Sequence, residues 1–179
     1  GKKDSDGTIQ PCSATIATGC LDCKANFAAC SKCDKDNDFW LDTGACLAGS
    51  AIPSLKGRKL SNGTVDICSV AGCLDCKTNT LSCTQCDQAN GFWLDNGTCV
   101  PEASIGALKG KTPTGTLATC TTTGCLDCKQ DYTKCAVCDK VNNWWLLTDT
   151  CVLGTLIPEG KGKKDSDGTI QPCSATIAT

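Results

Sequence analysis

Cysteine recurs along the chain in a fixed pattern, and this pattern constrains the fold more than any other feature of the sequence. Three successive groups contain six cysteines each, and from the second cysteine of a group onward the steps are 3, 7, 3 and 13 residues. Only the first step varies, at 8 residues in the first group and 5 in the other two. The groups are Cys12, Cys20, Cys23, Cys30, Cys33 and Cys46, then Cys68, Cys73, Cys76, Cys83, Cys86 and Cys99, and then Cys120, Cys125, Cys128, Cys135, Cys138 and Cys151. A nineteenth cysteine, Cys173, begins a fourth group, so the sequence indicates tandem modules.

Large apolar side chains are too few to form one packed interior. Leu, Ile, Val and Phe together make up 32 of the 179 residues. A share of apolar residues this low, combined with a high net charge, would indicate disorder. The net charge is only −2, and the 19 cysteines are a share typical of disulfide scaffolds. We therefore expect a small disulfide-rich fold: tandem cysteine-rich modules with short β-hairpins and little helix, stacked into an elongated rod or fibre.

The last 18 residues of the sequence repeat the first 18. Residues 162–179 match residues 1–18 at every position, which gives a period of 161 residues. Either near-identical units follow one another in tandem, or one period of a repeating polymer has been cut with an overlap. Both interpretations require a chain that continues periodically, so we expect a longer parent protein. The first residues contain neither Met nor an apolar centre, so a secretion signal would lie outside this segment.

Several positions other than cysteine also repeat in every module. The motif Gly-Cys-Leu-Asp-Cys-Lys starts at Gly19, Gly72 and Gly124, an Asp follows each second CxxC at Asp34, Asp87 and Asp139, and an aromatic-Trp-Leu triplet starts at Phe39, Phe92 and Trp144. In the first two modules an Asx-x-Gly turn follows the triplet, and aromatic strand residues beside such a turn predict a tight hairpin. The third module has Leu147-Thr148-Asp149-Thr150 there, which is a weaker turn signal.

The segments between the modules resemble one another as well. Basic clusters begin at Lys56, Lys109 and Lys161, and Gly-Thr pairs follow at Gly63-Thr64, Gly115-Thr116 and Gly168-Thr169. Each linker is interpreted either as a second short hairpin around this pair or as a flexible Gly/Ser segment, and the shared Ile52, Ile105 and Ile157 favour order. We place the modules at 1–49, 67–101 and 119–154, the linkers at 50–66, 102–118 and 155–172, and the start of the next repeat at 173–179.

Six CxxC motifs allow three kinds of cysteine chemistry. Thioredoxin-like redox chemistry requires one CxxC at the start of a helix beside a βαβ unit, and the chain has no such pattern. Zinc could be held by four thiolates, but zinc ribbons usually separate their CxxC pairs more widely, and two cysteines per module would be left over. Structural disulfides use all six and suit small domains without an apolar core. We expect disulfides, no metal and no cofactor, while spacing alone leaves the connectivity open.

The string CxxC-x6-CxxC-x12-C, with one more cysteine upstream and an aromatic-Leu before the last, resembles furin-like cysteine-rich repeats. Such repeats occur in growth-factor-receptor ectodomains, R-spondins and surface proteins of ciliates, and the CxxC-rich variant surface proteins of Giardia are similar. The resemblance covers the three modules but not the linkers. Family members commonly have Gly-Tyr-Tyr-Leu where this chain has Phe-Trp-Leu, which leaves the cysteines unchanged. The resemblance implies an extracellular protein and suggests a protist source.

A disulfide pairing is implied by the same resemblance: first with third, second with fourth, and fifth with sixth cysteine of each module. The implied pairs are Cys12–Cys23, Cys20–Cys30, Cys33–Cys46, Cys68–Cys76, Cys73–Cys83, Cys86–Cys99, Cys120–Cys128, Cys125–Cys135 and Cys138–Cys151. Cys173 would await a partner equivalent to Cys23 in the next copy. In the chain-entropy model each such loop contributes about 2–3 kcal/mol, so three per module would offset the missing core.

Two N-glycosylation sequons lie at predicted turns, Asn62-Gly63-Thr64 and Asn96-Gly97-Thr98. Together with extracellular disulfides they predict N-linked glycans on both asparagines, and chance occurrence is the alternative. Threonine clusters are candidates for O-linked glycans, although ordinary β-propensity and turn usage explain them as well. These candidates are Thr112, Thr114, Thr121, Thr122 and Thr123.

Charge is segregated between the modules and the linkers. The first module carries Asp34, Asp36, Asp38 and Asp42, whereas the linkers carry Lys56, Arg58, Lys59, Lys163 and Lys164. This pattern indicates either a solvated surface or contact between the basic linker of one unit and the acidic module of a neighbour. Basic clusters without interleaved aromatic residues do not predict a nucleic-acid site. We expect the tryptophans to pack in the hairpins against the disulfides rather than to stack on sugars.

No catalytic constellation is present in the sequence, which has no His, no nucleophile motif and no phosphate-binding loop, so we expect no enzyme. Because each module can contact only its neighbours, we expect a structural building block of an extracellular, glycosylated fibre or cell-surface coat. Its partners would be further copies of the same repeat, along the chain or laterally. A membrane would be reached only through a segment outside this chain. The alternative is a surface antigen, adhesin or receptor ectodomain that binds a partner through its cysteine-rich modules.

Overall fold

A computed structural model describes residues 7–174 of the chain. These residues contain nine disulfides and eighteen short β-strands, and their only helices are four 3-10 helices of three residues each. The chain divides after Cys99 into two compact units. The first contains module 1, its linker and most of module 2, and the second contains the next linker, module 3 and the last linker. The expected class of fold, tandem disulfide-rich modules with short hairpins, is confirmed.

The three modules and their linkers repeat one order of strands, and the first two also contain two 3-10 helices each. The first module and linker contain β1 (Cys20–Asp22), β2 (Lys32–Cys33), a 3-10 helix (Lys35–Asn37), β3 (Phe39–Asp42), β4 (Ala45–Ala48), a 3-10 helix (Gly49–Ala51), β5 (Lys56–Lys59) and β6 (Thr64–Ile67). The second contain β7 (Cys73–Asp75), β8 (Gln85–Cys86), a 3-10 helix (Gln88–Asn90), β9 (Phe92–Asp95), β10 (Thr98–Pro101), a 3-10 helix (Glu102–Ser104), β11 (Lys109–Lys111) and β12 (Leu117–Thr119). The third contain β13 (Cys125–Asp127), β14 (Val137–Cys138), β15 (Trp144–Leu147), β16 (Thr150–Leu153), β17 (Lys161–Lys164) and β18 (Thr169–Pro172).

The aromatic hairpins close through tight turns. In module 1 the turn residues Thr43 and Gly44 have φ angles of +47° and +84°, and in module 2 Asn96 and Gly97 have +48° and +80°. Positive φ at both central positions defines the type I′ turn, whose twist matches that of the flanking strands. In module 3 only the first turn residue, Thr148, has a positive φ, of +59°, yet β15 and β16 still pair in register. The weaker turn signal therefore also closes a hairpin, as predicted.

A capped 3-10 helix leads into the aromatic hairpins of modules 1 and 2, and a turn with the same cap leads into that of module 3. The carboxylate of Asp34 accepts a hydrogen bond from the Asn37 backbone N–H at 3.3 Å and another from its side-chain nitrogen at 2.8 Å. Asp87 with Asn90 and Asp139 with Asn142 make the same contacts. Short polar side chains at this position satisfy backbone donors that a helix start leaves unpaired. The Asp that follows each second CxxC is therefore a cap.

All three linkers fold as hairpins rather than as irregular segments. Strand β6 adds to the aromatic hairpin of module 1 through a parallel pair between Leu41 and Thr64, which gives a four-stranded sheet in the order β4-β3-β6-β5. The last linker does the same to module 3, through Leu146 and Thr169, in the order β16-β15-β18-β17. The hairpin interpretation of the linkers is confirmed.

Disulfides themselves form most of the core. Each module has one cluster of buried cysteines, against which the first aromatic residue of the hairpin and the Leu of the triplet pack. A separate apolar cluster lies in the first linker sheet and consists of Trp40, Ile52 and Val65. No helix among the described residues is long and apolar enough to cross a membrane.

Candidate functional site at the joint between modules

The nine disulfides have the pairing that the family resemblance implies. They join Cys12–Cys23, Cys20–Cys30, Cys33–Cys46, Cys68–Cys76, Cys73–Cys83, Cys86–Cys99, Cys120–Cys128, Cys125–Cys135 and Cys138–Cys151. Each module is thus closed by three bonds of its own, and no described disulfide crosses from one module to another. Cys173 is free and exposed.

Sulfur atoms from two disulfides approach each other in every module. The three groups with sulfurs within 4.8 Å of one another are Cys20, Cys30 and Cys46, then Cys73, Cys83 and Cys99, and then Cys125, Cys135 and Cys151. All these sulfurs belong to disulfides, whereas a metal is bound by deprotonated thiols. The sulfurs of each group are thus all used in the disulfides that the CxxC motifs were expected to form.

The glycine before each first CxxC lies against the aromatic ring that opens the hairpin. A Cβ atom at Gly19 would lie 2.2 Å from a ring carbon of Phe39, and one at Gly72 would lie 2.3 Å from Phe92. Both glycines have a φ of +72°, a conformation that glycine adopts without steric cost. Sequence reasoning missed this contact, although a signal was present: the glycine and an aromatic residue recur at these two positions in all three modules.

Consecutive aromatic residues of the triplet pack on opposite faces of the hairpin. Phe39 packs against the disulfide cluster, whereas Trp40 is buried with Ile52 and Val65 of the linker. Side chains alternate between the two faces of a strand, so adjacent residues point to opposite sides of the hairpin. The expectation that tryptophans pack against disulfides is wrong for Trp40, and it is correct for Trp144, which opens the triplet of module 3.

The linker contacts the preceding module through charged groups around this tryptophan. Arg58 lies over the ring of Trp40, 5.5 Å from its centroid, and pairs with Asp38 at 2.6 Å. The indole N–H of Trp40 donates to the same carboxylate at 2.8 Å. Lys56 pairs with Asp42 at 3.0 Å. These contacts join a basic linker to the acidic module directly before it, whereas the second interpretation of the charge pattern placed such contacts between neighbouring units.

Module 3 keeps this arrangement with different side chains. Lys163 replaces the arginine, lies 5.0 Å from the centroid of Trp145, and donates to the side-chain oxygen of Asn143 at 2.8 Å. The Trp145 indole N–H donates to the same oxygen at 3.1 Å. A neutral Asn thus accepts the two hydrogen bonds that a carboxylate accepts in module 1.

The same linker strand also bonds the module that follows it. The Arg58 N–H donates to the carbonyl of Lys77 at 3.2 Å, and the Thr80 N–H donates to the carbonyl of Arg58 at 3.1 Å. Between these bonds, a Cβ at Gly57 would lie 2.0 Å from the carbonyl oxygen of Cys76, so the two backbones are in direct contact. One linker hairpin is therefore fixed to the modules on both of its sides, and we call this set of contacts the joint.

Carboxyl groups in the linkers have lowered pKa values. The Lys164 ammonium and the Thr169 hydroxyl donate hydrogen bonds to Asp167 and lower its pKa from 3.8 to about 2. A hydrogen bond from Lys59 lowers the pKa of Asp66. A hydrogen bond from Lys111 likewise lowers the pKa of Glu102. Each of these carboxyls is stabilised in its ionised form by a basic residue of its own linker.

The two sequon asparagines lie on turns, as predicted, and both are exposed. The side-chain oxygen of Asn62 accepts from the Thr64 N–H at 3.2 Å and from its hydroxyl at 2.8 Å. The last linker has Asp167 and Thr169 at the equivalent positions, with the same two hydrogen bonds. The turn therefore uses either Asn or Asp as a cap, and its geometry alone does not require a glycan. Asn96 is the first residue of the module 2 hairpin turn.

Most of the candidate O-glycosylation threonines use their hydroxyls within the chain. Thr112 shares hydrogen bonds with Thr114 at 2.9 Å and Thr116 at 2.8 Å. Thr121 donates to a backbone carbonyl at 3.3 Å, and Thr122 to another at 3.4 Å. Thr123 is exposed. These contacts give the threonines a structural role in turns, which the sequence left open.

No known family matches the chain, and no curated protein or solved structure is similar to it.

Proposed function

We propose that the chain is a structural building block of an extracellular, glycosylated fibre or cell-surface coat. The joint in the first compact unit carries this proposal, because one linker hairpin holds the modules before and after it through backbone hydrogen bonds. A display protein needs only modules that fold, whereas a fibre needs each module fixed to the next. The joint supplies that fixed connection.

Repetition of the bonds between a linker and the module that follows it supports the proposal. In the second compact unit the Lys111 N–H donates to the carbonyl of Lys129 at 3.4 Å, and the Tyr132 N–H donates to the carbonyl of Lys111 at 3.2 Å. These bonds are equivalent to those of Arg58. Units that contact only their neighbours have stabilities that add along the array, so a periodic parent chain would be a continuous element.

Disulfide-rich hairpin modules fit an extracellular cysteine-rich protein, because an oxidising compartment maintains such bonds. We further propose N-linked glycans on Asn62 and Asn96, which lie on exposed turns, and kinship with furin-like repeats on the basis of the cysteine spacing and pairing. Peptide mass spectrometry of the native protein tests the glycans. Peptides in which Asn62 and Asn96 are entirely unmodified would contradict the proposed glycans.

Immunogold labelling in the electron microscope tests the function. We expect an antibody against module 2 to label extracellular filaments at regular intervals. Label confined to a membrane surface, without filaments, would contradict the fibre and support the antigen, adhesin or receptor alternative.

A further inference from the structure

A cleft lies beside the first sequon, between module 1 and the linker hairpin that follows it. Its volume is about 300 Å³, at the lower end of the range for ligand sites. The module side is lined by Lys32, Lys35 and Leu41, and the linker side by Ser61 and Asn62. We call it the sequon cleft. Because Asn62 itself lines the cleft, a sugar attached to its side chain begins there.

The Asn62 side chain is held with its nitrogen available for a glycan. Its oxygen accepts hydrogen bonds from the Thr64 N–H at 3.2 Å and from the Thr64 hydroxyl at 2.8 Å. A backbone N–H can only donate, so these contacts establish which end of the amide is Nδ2. Among the described residues, none accepts a hydrogen bond from Nδ2. A glycan replaces one hydrogen of this nitrogen and leaves both hydrogen bonds of the oxygen in place.

The walls of the cleft offer the two kinds of contact that a sugar ring makes. Leu41 is half-buried, and the methylene stem of Lys35 lies over the turn, where a Cβ at Gly63 would be 2.7 Å from the Lys35 Cδ. These groups form an apolar surface for the C–H face of a pyranose ring. The Lys32 and Lys35 ammonium groups and the Ser61 hydroxyl are not bonded to any residue within 7–174. They can therefore donate hydrogen bonds to sugar hydroxyls and to an acetamido carbonyl.

Module 3 differs at the positions that would contact a sugar. Asp167 takes the place of Asn62 in the linker turn, and an Asp cannot carry an N-linked glycan. Val137 takes the place of Lys32 and removes one of the hydrogen-bond donors. The attachment site and this donor thus occur together in module 1 and are lost together in module 3.

The remaining lysine of the cleft is also used differently in module 3. The ammonium of Lys140, which is equivalent to Lys35, donates to the backbone carbonyl of Asp165. In module 3 the chain itself therefore satisfies this donor and links the module to its linker turn. In module 1 the ammonium of Lys35 makes no such link within the described part of the chain.

We propose that the sequon cleft binds the first N-acetylglucosamine of the glycan on Asn62, and that this sugar fixes the linker hairpin to module 1. The sugar contacts both sides of the cleft, next to the parallel pair of Leu41 and Thr64. There the Leu41 N–H donates to the carbonyl of Gly63 at 3.1 Å, and the sugar opposes the opening of this bond. The inference rests on the proposed function, because it requires the glycan on Asn62.

NMR spectra of the isotope-labelled full chain, secreted by a eukaryotic host with its glycans, test where the sugar lies. We expect nuclear Overhauser effects from protons of the first sugar to the Leu41 methyl groups and to the Lys35 methylenes. Lys32→Val introduces the residue of module 3. It should keep Asn62 glycosylated and weaken these effects, because one donor to the sugar is lost.

Amide hydrogen exchange tests what the sugar does for the linker. Asp167 makes the same turn contacts in the last linker, so Asn62→Asp should keep the turn and lose only the glycan. We expect the Leu41 amide to exchange about fivefold faster or more in this variant, because the sugar no longer opposes the opening of the bond to Gly63. Trimming the wild-type glycan to its first sugar with an endoglycosidase should leave this exchange unchanged.

Asn96→Asp is the matched control, because it removes the other proposed glycan at a residue that does not line the sequon cleft. Exchange at Leu41 should stay within about twofold of the wild-type rate in this variant. A fivefold change there as well would overturn the inference, since it would show that any lost glycan loosens the linker.

Two further results would overturn the inference, and they differ in what they mean for the proposed function. An unmodified Asn62 in the native protein would remove both the bound sugar and the proposed glycan. A glycosylated Asn62 whose first sugar shows no contact with Leu41, or whose loss leaves Leu41 exchange unchanged, would remove the bound sugar alone. Neither result affects the fibre, which the labelling of native filaments tests separately.

Discussion

At the scale of single residues, a glycine packs directly against an aromatic ring in each module. Gly72→Ala would place a methyl group 2.3 Å from a ring carbon of Phe92 and hold a non-glycine residue at a φ of +72°. The left-handed backbone and the overpacking together should reduce the free energy of unfolding by about 2–4 kcal/mol. Denaturant unfolding with the disulfides intact measures this change.

Gly106→Ala is the control for that substitution, because nothing lies within 4 Å of its Cβ position and its φ is not positive. Its effect should stay within about 0.5 kcal/mol. Equal effects of the two substitutions would show that the ring of Phe92 does not constrain the glycine.

A second prediction concerns substitutions in the ion pair between Arg58 and Asp38 at the joint. Arg58→Ala loses the ion pair with Asp38 and the contact with the Trp40 ring, and should cost about 1–2 kcal/mol because both charged groups remain partly exposed. The double variant Asp38→Asn with Arg58→Lys recreates the pair found in module 3 and should recover most of this loss. A double-mutant cycle by denaturant unfolding measures the coupling, and a double variant no more stable than Arg58→Ala would contradict it.

Residue-level features were predictable from the sequence where a local rule applies. Turn residues such as Gly44 and Gly97 follow from hairpin chemistry. The contact of Gly72 with Phe92 joins residues 20 positions apart, and no propensity encodes it. The different surroundings of Phe39 and Trp40 follow from strand alternation, which sequence reasoning did not apply to this triplet.

At the scale of elements, backbone hydrogen bonds should distinguish a complete joint from a half-formed one. The Arg58 N–H donates to the carbonyl of Lys77 in the following module at 3.2 Å, whereas within residues 7–174 the equivalent Lys163 makes no such bond to a following module. Amide hydrogen exchange should therefore be at least about tenfold slower at Arg58 than at Lys163 in the monomer. The Gly168 N–H, bonded to Lys164 at 3.0 Å, reports whether the last hairpin is folded. Equal exchange at Arg58 and Lys163, with Gly168 protected, would contradict the joint.

Acid should act on the turn of the last linker at an unusually low pH. Because the folded pKa of Asp167 is about 2, below the value of 3.8 for an unperturbed Asp, its carboxylate stabilises the folded hairpin. That contribution is complete above about pH 4 and is lost as the pH falls towards 2. The Thr169 amide signal in NMR spectra should titrate with a midpoint near the folded pKa.

Asp167→Asn serves as the control for this titration. Asn62 makes the same turn contacts in the first linker, so the variant should keep the turn and lose the pH dependence of the Thr169 amide. A wild-type midpoint near 4 would show that Lys164 and Thr169 do not hold the carboxylate.

The sequence predicted the linker hairpins but not the joints that they form. Gly-Thr pairs and shared isoleucines indicate ordered turns, which is local information. The hydrogen bonds of Arg58 with Lys77 and Thr80 depend on how the linker hairpin packs against the next module. Neither segment alone contains a sequence pattern that determines this packing.

At the scale of the whole molecule, the repeated cysteine spacing indicates the modules in the sequence, and the disulfides stabilise them in the structure. Cysteine spacing indicates the three modules, and the family resemblance implies the same pairs that the structure contains. The free Cys173 follows from the same count.

Electron microscopy of the native material, averaged along its filaments, tests the central claim most directly. The joint predicts an axial repeat with three similar modules in each 161-residue period, connected by hairpin density without gaps. Additional density should extend from Asn62 and Asn96. Monomers or single flexible strings, with no constant spacing between modules, would contradict a protein built to hold each module fixed to the next.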